Sequence, residues 1–174
     1  MIYDNVEVPV ENVVGGRGGW NKGWKMLAGR ALDVERLEIT AVALGVATAA
    51  VNDAWQYAQE RQQFGRMICA HQSVRHTLVD AKTTLQACRH MLYHAAWLAN
   101  EGRDCSVESS MAKLFVGDKS VEIVLACQQV VGAYGCASEH DMERYVRDIV
   151  CMPIVGGSSN MQKNNIAARL NLPT

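Results

Sequence analysis

The 174-residue sequence predicts an all-α fold, an antiparallel four-helix bundle with short extra helices, preceded by a remnant strand segment. Three observations carry this. Apolar residues recur at spacings of three and four over runs far longer than the ~10–14 residues of an ordinary globular helix. The runs are rich in alanine and leucine, both strong helix formers. The connections between them are short, which folds sequential helices antiparallel. A chain of this length makes one domain with a substantial core.

Residues 1–17 differ from the rest. Val6, Val8 and Val10 alternate with Glu7, Pro9 and Glu11, which is a strand pattern, and Pro9 restricts it to a sheet edge. GGRGG, from Gly15, then reads as a flexible joint. Such a strand has no partner in a helical domain and looks like the trailing edge of a sheet, so the boundary falls between 1–17 and 18–174. From Trp20 a long helix is expected up to Phe64-Gly65, with Gly29 and Gly45 inside it marking close packing or a small break. A second runs from Gln72 to Asn100 with Val74, Leu78, Ala81, Leu85, Cys88, Leu92 and Ala95 on one stripe. Ser106 is the expected N-cap of a third helix, Val107 to Val131. A glycine-containing turn leads to a fourth, shorter helix, His140 to Val150, and a last one spans Asn160 to Leu170.

Composition excludes several classes of function. The net charge is −1, from 17 basic and 18 acidic side chains spread along the chain, so no field exists to hold nucleic acid or an anionic bilayer. No apolar run approaches the ~18–20 residues of a membrane span. The first residues lack the basic and apolar regions of a signal peptide. The chain therefore reads as cytoplasmic, or as a piece of something larger. Its six cysteines form no close pair and its five histidines no HExxH, which argues against a metal site.

Four stretches carry residues suited to chemistry. In LDVERL, Glu35 has Ala31, Leu32, Glu38 and Ile39 at helical spacing and no cation. Against apolar surroundings its carboxyl would rise toward the range of a general base; on an open face it is simply solvated. Asp33 and Arg36 beside it suit an ion pair. In ERQQFGRMI, Arg61 matches phosphate bidentately and Phe64 can cover an aromatic ring, though both also suit a helix end and turn. QQVVGAYG offers Gln129 and small residues whose backbone amides suit a pyrophosphate. In VGGSSNMQ, Ser158 and Ser159 can cap the final helix.

Taken together, these stretches resemble the C-terminal part of the acyl-CoA dehydrogenase family along essentially the whole chain. YDNVEVPVENVVG is similar to the end of that family's middle β domain, and LDVERL to its first long C-terminal helix. YAQERQQFGRMICAHQSV resembles its arginine, phenylalanine and glycine signature, and QQVVGAYG, ERYVRDI and GGSSNMQ follow in the family's order. The resemblance implies FAD as cofactor and an acyl-CoA thioester as substrate. It also implies a homo-oligomer, an electron-transferring flavoprotein as partner, and N-terminal and middle domains, or a companion chain, to complete the enclosure. Arg61, Phe64, Gln129, Gly132, Tyr134, Ser158 and Asn160 match cofactor-binding positions. Asp33 and Arg36 match positions near the acyl-CoA.

Three departures follow. Where most of the family carries its base, a glutamate in the turn before the last helix, this chain has Gly156. A minority, including isovaleryl-CoA and long-chain enzymes, carries the base on the first long helix, and Glu35 falls on that position. The missing domains imply that the isolated chain binds FAD poorly and turns over nothing measurable. Ala133, in place of a usual glycine, adds a methyl near the pyrophosphate turn. Two alternatives stand beside this reading. One is an enoyl-CoA reductase, or an enzyme for a bulky or polar acyl group, for which Gly156-Gly157 is expected to leave room. The other is a non-catalytic helical assembly subunit.

Overall fold

The computed structural model describes residues 1–173, the side chain of Arg30 excepted. It separates into two compact units, Met1–Leu32 and the remainder of the chain from Asp33.

In the first unit the expected strand does not form. Val6, Val8 and Val10 are exposed and no ladder joins them. A lone extended segment leaves its amides and carbonyls without partners, and local bonds replace the ladder. Asn12 N donates to Pro9 O at 3.0 Å, and Gly16 N to Val13 O at 2.9 Å. The chain closes into 3-10 turns at Val10–Asn12 and Gly16–Gly19. Gly19 is buried where a Cβ would lie 1.9 Å from the Val14 carbonyl oxygen, so no side chain fits there. Helix α1, Gly23–Leu27, follows.

The single helix expected from Trp20 to Phe64 is corrected at both ends. It starts as α1, breaks at Ala28-Gly29, and resumes as α2, Arg30–Glu60. Gly29 sits at the break, as its low helix propensity allows, whereas α2 runs unbroken through Gly45. Beyond Glu60 comes a short antiparallel hairpin instead of helix. Its strands are β1 (Gln62–Gln63) and β2 (Arg66–Met67), with Gln62 opposite Met67 and Gln63 opposite Arg66. Phe64 and Gly65 have φ of +53° and +77°. Two successive left-handed residues are what a two-residue hairpin turn needs, and phenylalanine in the first place disguises that signal.

Helix α3, Gln72–Asn100, buries Leu78, Ala81, Leu85, Cys88, Leu92, Ala95 and Leu98 at spacings of three and four, the stripe expected from sequence. Each buried leucine stabilises the fold by about 1.5–3 kcal/mol. Helix α4, Ser106–Val131, begins one residue earlier than expected, and Ser106 is not its N-cap. The Ser106 amide donates to Asp104 Oδ1 at 3.0 Å, so Asp104 serves the helix start. Buried residues line one broad face of α4, while Glu122, Leu125 and Gln129 on the other side are exposed, and it packs against α3, α5 (Asp141–Ile149) and α6 (Ser159–Arg169). The bundle is thus three long helices, with α5 and α6 laid on α4. No helix among the described residues is long and apolar enough to cross a membrane.

Candidate active site

Three groups of sequence-selected residues are positioned by these elements. The first lies at the start of α2. Asp33 is buried, paired with the Arg36 guanidinium one turn on. It also accepts from Ser106 Oγ at 3.0 Å and Ser109 Oγ at 3.5 Å, which ties α2 to α4. Arg36 Nε is buried and has no hydrogen-bond partner among the described residues. The Ser106 hydroxyl and amide hold the Asp104 carboxyl below the usual carboxylate range. Glu35 points from a different side of the helix and is exposed, so the apolar surroundings considered from sequence are not provided by this chain. It stands in the second turn of α2.

The second group surrounds the turn between α5 and α6. Gly156 and Gly157 have φ of +62° and +87°, a region open to glycine at little cost. Gln162, fully buried, reaches back to donate from Nε2 to Gly156 O at 3.2 Å and Gly157 O at 2.8 Å. Lys113 of α4, also buried, donates to Met152 O at 3.0 Å, and burial holds its ammonium below the usual lysine range. Ser159 Oγ donates to Asp118 at 2.7 Å. Ser158 caps α6 as expected, its hydroxyl accepting from Met161 N at 3.4 Å, with Asn160 exposed in the first turn.

The glycine pair leaves no open space, contrary to expectation. A Cβ at Gly156 would lie 2.2 Å from Ile39 Cδ1, and one at Gly157 2.7 Å from Gln162 Nε2. The room expected there for a bulky acyl group is filled by Ile39. Since Ile39 follows Glu35 by four residues, the turn rests against the helical face that carries Glu35.

The third group joins the hairpin to the end of α4. The Arg61 guanidinium lies 5.8 Å from the centre of the Tyr134 ring, and Tyr57 lies 6.3 Å from the same ring. Gln129 is exposed on the last turn of α4, and Gly132 ends it at φ +70° with nothing near its Cβ position. Phe64 is 91% exposed, its ring edge-on to His71 at 6.0 Å. Sequence reasoning missed Lys113, Gln162 and Ser109, and it gave Ile39 and Ser106 other contacts. Gln162 reaches glycines five and six residues back, while the others act through partners far along the chain, which no local pattern marks.

The long helices, the hairpin, the glycine turn and the capped final helix define an all-α helical domain. The family model described as acyl-CoA dehydrogenase, C-terminal domain, matches residues 21–171, and the chain belongs to that family. It is 41% identical over 164 residues to an acyl-CoA dehydrogenase of Bacillus subtilis, covering 94% of this chain and 42% of the relative. The butyryl-CoA dehydrogenase structure from Megasphaera elsdenii superposes with a TM-score of 0.88 at 32% identity, over 98% of this chain and 43% of that one. The structure of PigA with FAD and proline superposes at 0.77 with 30% identity, over 81% and 37%. The chain thus spans about two fifths of the length of these relatives, and the family and its structural neighbours are flavoproteins.

Proposed function

We propose that this chain is the FAD- and acyl-CoA-contacting C-terminal part of an acyl-CoA dehydrogenase that uses Glu35 as its base. The observation that supports this best is the abutment of Gly156 on Ile39, one turn from Glu35. The turn that lacks a carboxylate lies beside a helix face that offers one.

The donor set fits FAD. Arg61, Gln129, Ser158 and Asn160 include no carboxylate, and a Cβ at Gly132, three residues past Gln129, would meet nothing within 4 Å. Cationic and neutral donors with a helix N-terminus suit a pyrophosphate. Tyr134 and Phe64 offer ring surface. FAD, when bound, would supply the hydride acceptor for the β carbon. The part of this chain is to take the α proton onto a Glu35 carboxylate oxygen as that C–H bond breaks, its electron pair becoming the α,β double bond. Asp33 pairs with Arg36 and orients its guanidinium at the start of α2. Residues 1–17 are assigned to the trailing edge of a middle β domain and 18–174 to the helical domain. Exposed Val42, Trp55, Tyr93 and Trp97 along α2 and α3 support a homo-oligomer, and electrons pass on to an electron-transferring flavoprotein. The isolated 174 residues are expected to show no turnover.

The test joins this chain to the N-terminal and middle domains of the kind its relatives carry. Acyl-CoA should bleach the flavin absorbance, and Glu35→Gln should retain FAD while losing bleaching by at least ~100-fold. Equal bleaching rates in the two proteins would remove Glu35 from the role. A protein that gains no flavin absorbance with added FAD would remove the enzyme reading.

A further inference from the structure

The space beside Gly156 is already taken. A Cβ there would meet Ile39 Cδ1 at 2.2 Å and Cγ1 at 3.5 Å. Ile39 is half-buried and Glu35, four residues earlier, is exposed. Side chains four apart on a helix are neighbours, with Cβ atoms about 5–6 Å apart. A β-branched side chain in a helix is nearly fixed at χ1, so the Ile39 branch point forms a wall there while its Cδ1 turns about χ2.

We propose that Ile39 determines specificity at the Glu35 site, filling the volume that a side chain at 156 would take and excluding acyl groups branched at the α carbon. This rests on Glu35 being the base. A base must come within about 2.6–3.2 Å of the carbon whose proton it removes. The α carbon then sits within one helical turn of Ile39, and a methyl on that carbon competes with the Ile39 wall for the same space. A straight chain, with only hydrogens there, does not. One methyl in a packed pocket changes selection by roughly 10–200-fold.

Two measurements test this. In the 174-residue chain, urea unfolding of Gly156→Ala, Ile39→Ala and the double variant should be non-additive, with the Gly156→Ala loss of midpoint smaller when residue 39 is alanine. The left-handed φ penalty is common to both backgrounds and cancels. Additive shifts would overturn the claim that Ile39 holds that space. In the protein joined to its N-terminal and middle domains, Ile39→Ala should raise the kcat/KM ratio of 2-methylbutyryl-CoA to butyryl-CoA by about 10-fold or more. An unchanged ratio in a protein that bleaches with butyryl-CoA would overturn the specificity role. If the unsubstituted protein bleaches with no thioester, the dehydrogenase reading falls and the specificity role with it, while the unfolding cycle still reports whether Ile39 fills the gap.

Discussion

Removing the carboxylate of Asp33 tests how α2 is fastened to α4. Asp33→Ala leaves the Arg36 guanidinium without its partner, and Arg36 Nε already has none among the described residues. Ser106 and Ser109 lose an acceptor as well. Breaking a buried pair from one side costs about 3–5 kcal/mol. The low end applies, because the two side chains keep 13% and 10% exposure and Ser106 retains Asp104 at 2.7 Å. About 3 kcal/mol at a urea m-value of about 2 kcal/mol per molar lowers the midpoint by roughly 1.5 M. In a domain of this size the thermal midpoint falls by about 6–12 °C. Helical circular dichroism of the chain in urea reads the shift, with the m-value constant if only stability changes. Asp33→Leu with Arg36→Met should lose less than half as much, since no charge is then left buried alone. A loss below about 1 kcal/mol for Asp33→Ala, or an equal loss in the double variant, would refute the reasoning.

Two further outcomes follow from buried titratable groups. Burial lowers the Lys113 ammonium from its ordinary value of 10.5. Between the lowered value and 10.5 the unfolded chain therefore holds a proton that the folded chain has released, and stability rises with pH through that window. Measured against Lys113→Met, the unsubstituted chain should gain stability as pH climbs through it, and a flat or falling difference in urea midpoints would be inconsistent with a desolvated ammonium. Burial likewise pushes the Cys88 thiol up to about 11 and Cys127 up to about 12, while Cys136 is exposed. A thiol reagent near pH 8, read by peptide mass, should label Cys136 in the folded chain and reach Cys88 and Cys127 only in urea. Labelling of either buried thiol at the rate of Cys136 would contradict the packing of α3 and α4.

The long helices were legible because their causes are local. The α3 stripe from Leu78 to Ala95 follows from spacing alone, and the Ser158 cap from one hydroxyl before a helical run. The hairpin at Phe64-Gly65 was hidden, because phenylalanine at positive φ is an uncommon first turn residue and Gly65 alone resembles a helix stop. The strand of residues 6–10 failed for the opposite reason. Its alternation is real, but a strand exists only when another chain segment supplies the ladder.

Among the candidate site residues, the sequence by itself determined which side chains are present, their order, and the absence of a carboxylate at 156. Tertiary structure alone decided what they meet. It set Asp33 against Ser106, 73 residues away in sequence, and Lys113 against the Met152 carbonyl, 39 away. It also filled the apparent gap at Gly156 with Ile39. A glycine in a sequence says only that a side chain is missing. Whether the vacated volume is open or occupied depends on how closely another helix approaches, and close packing of the interior settles that, not local propensity.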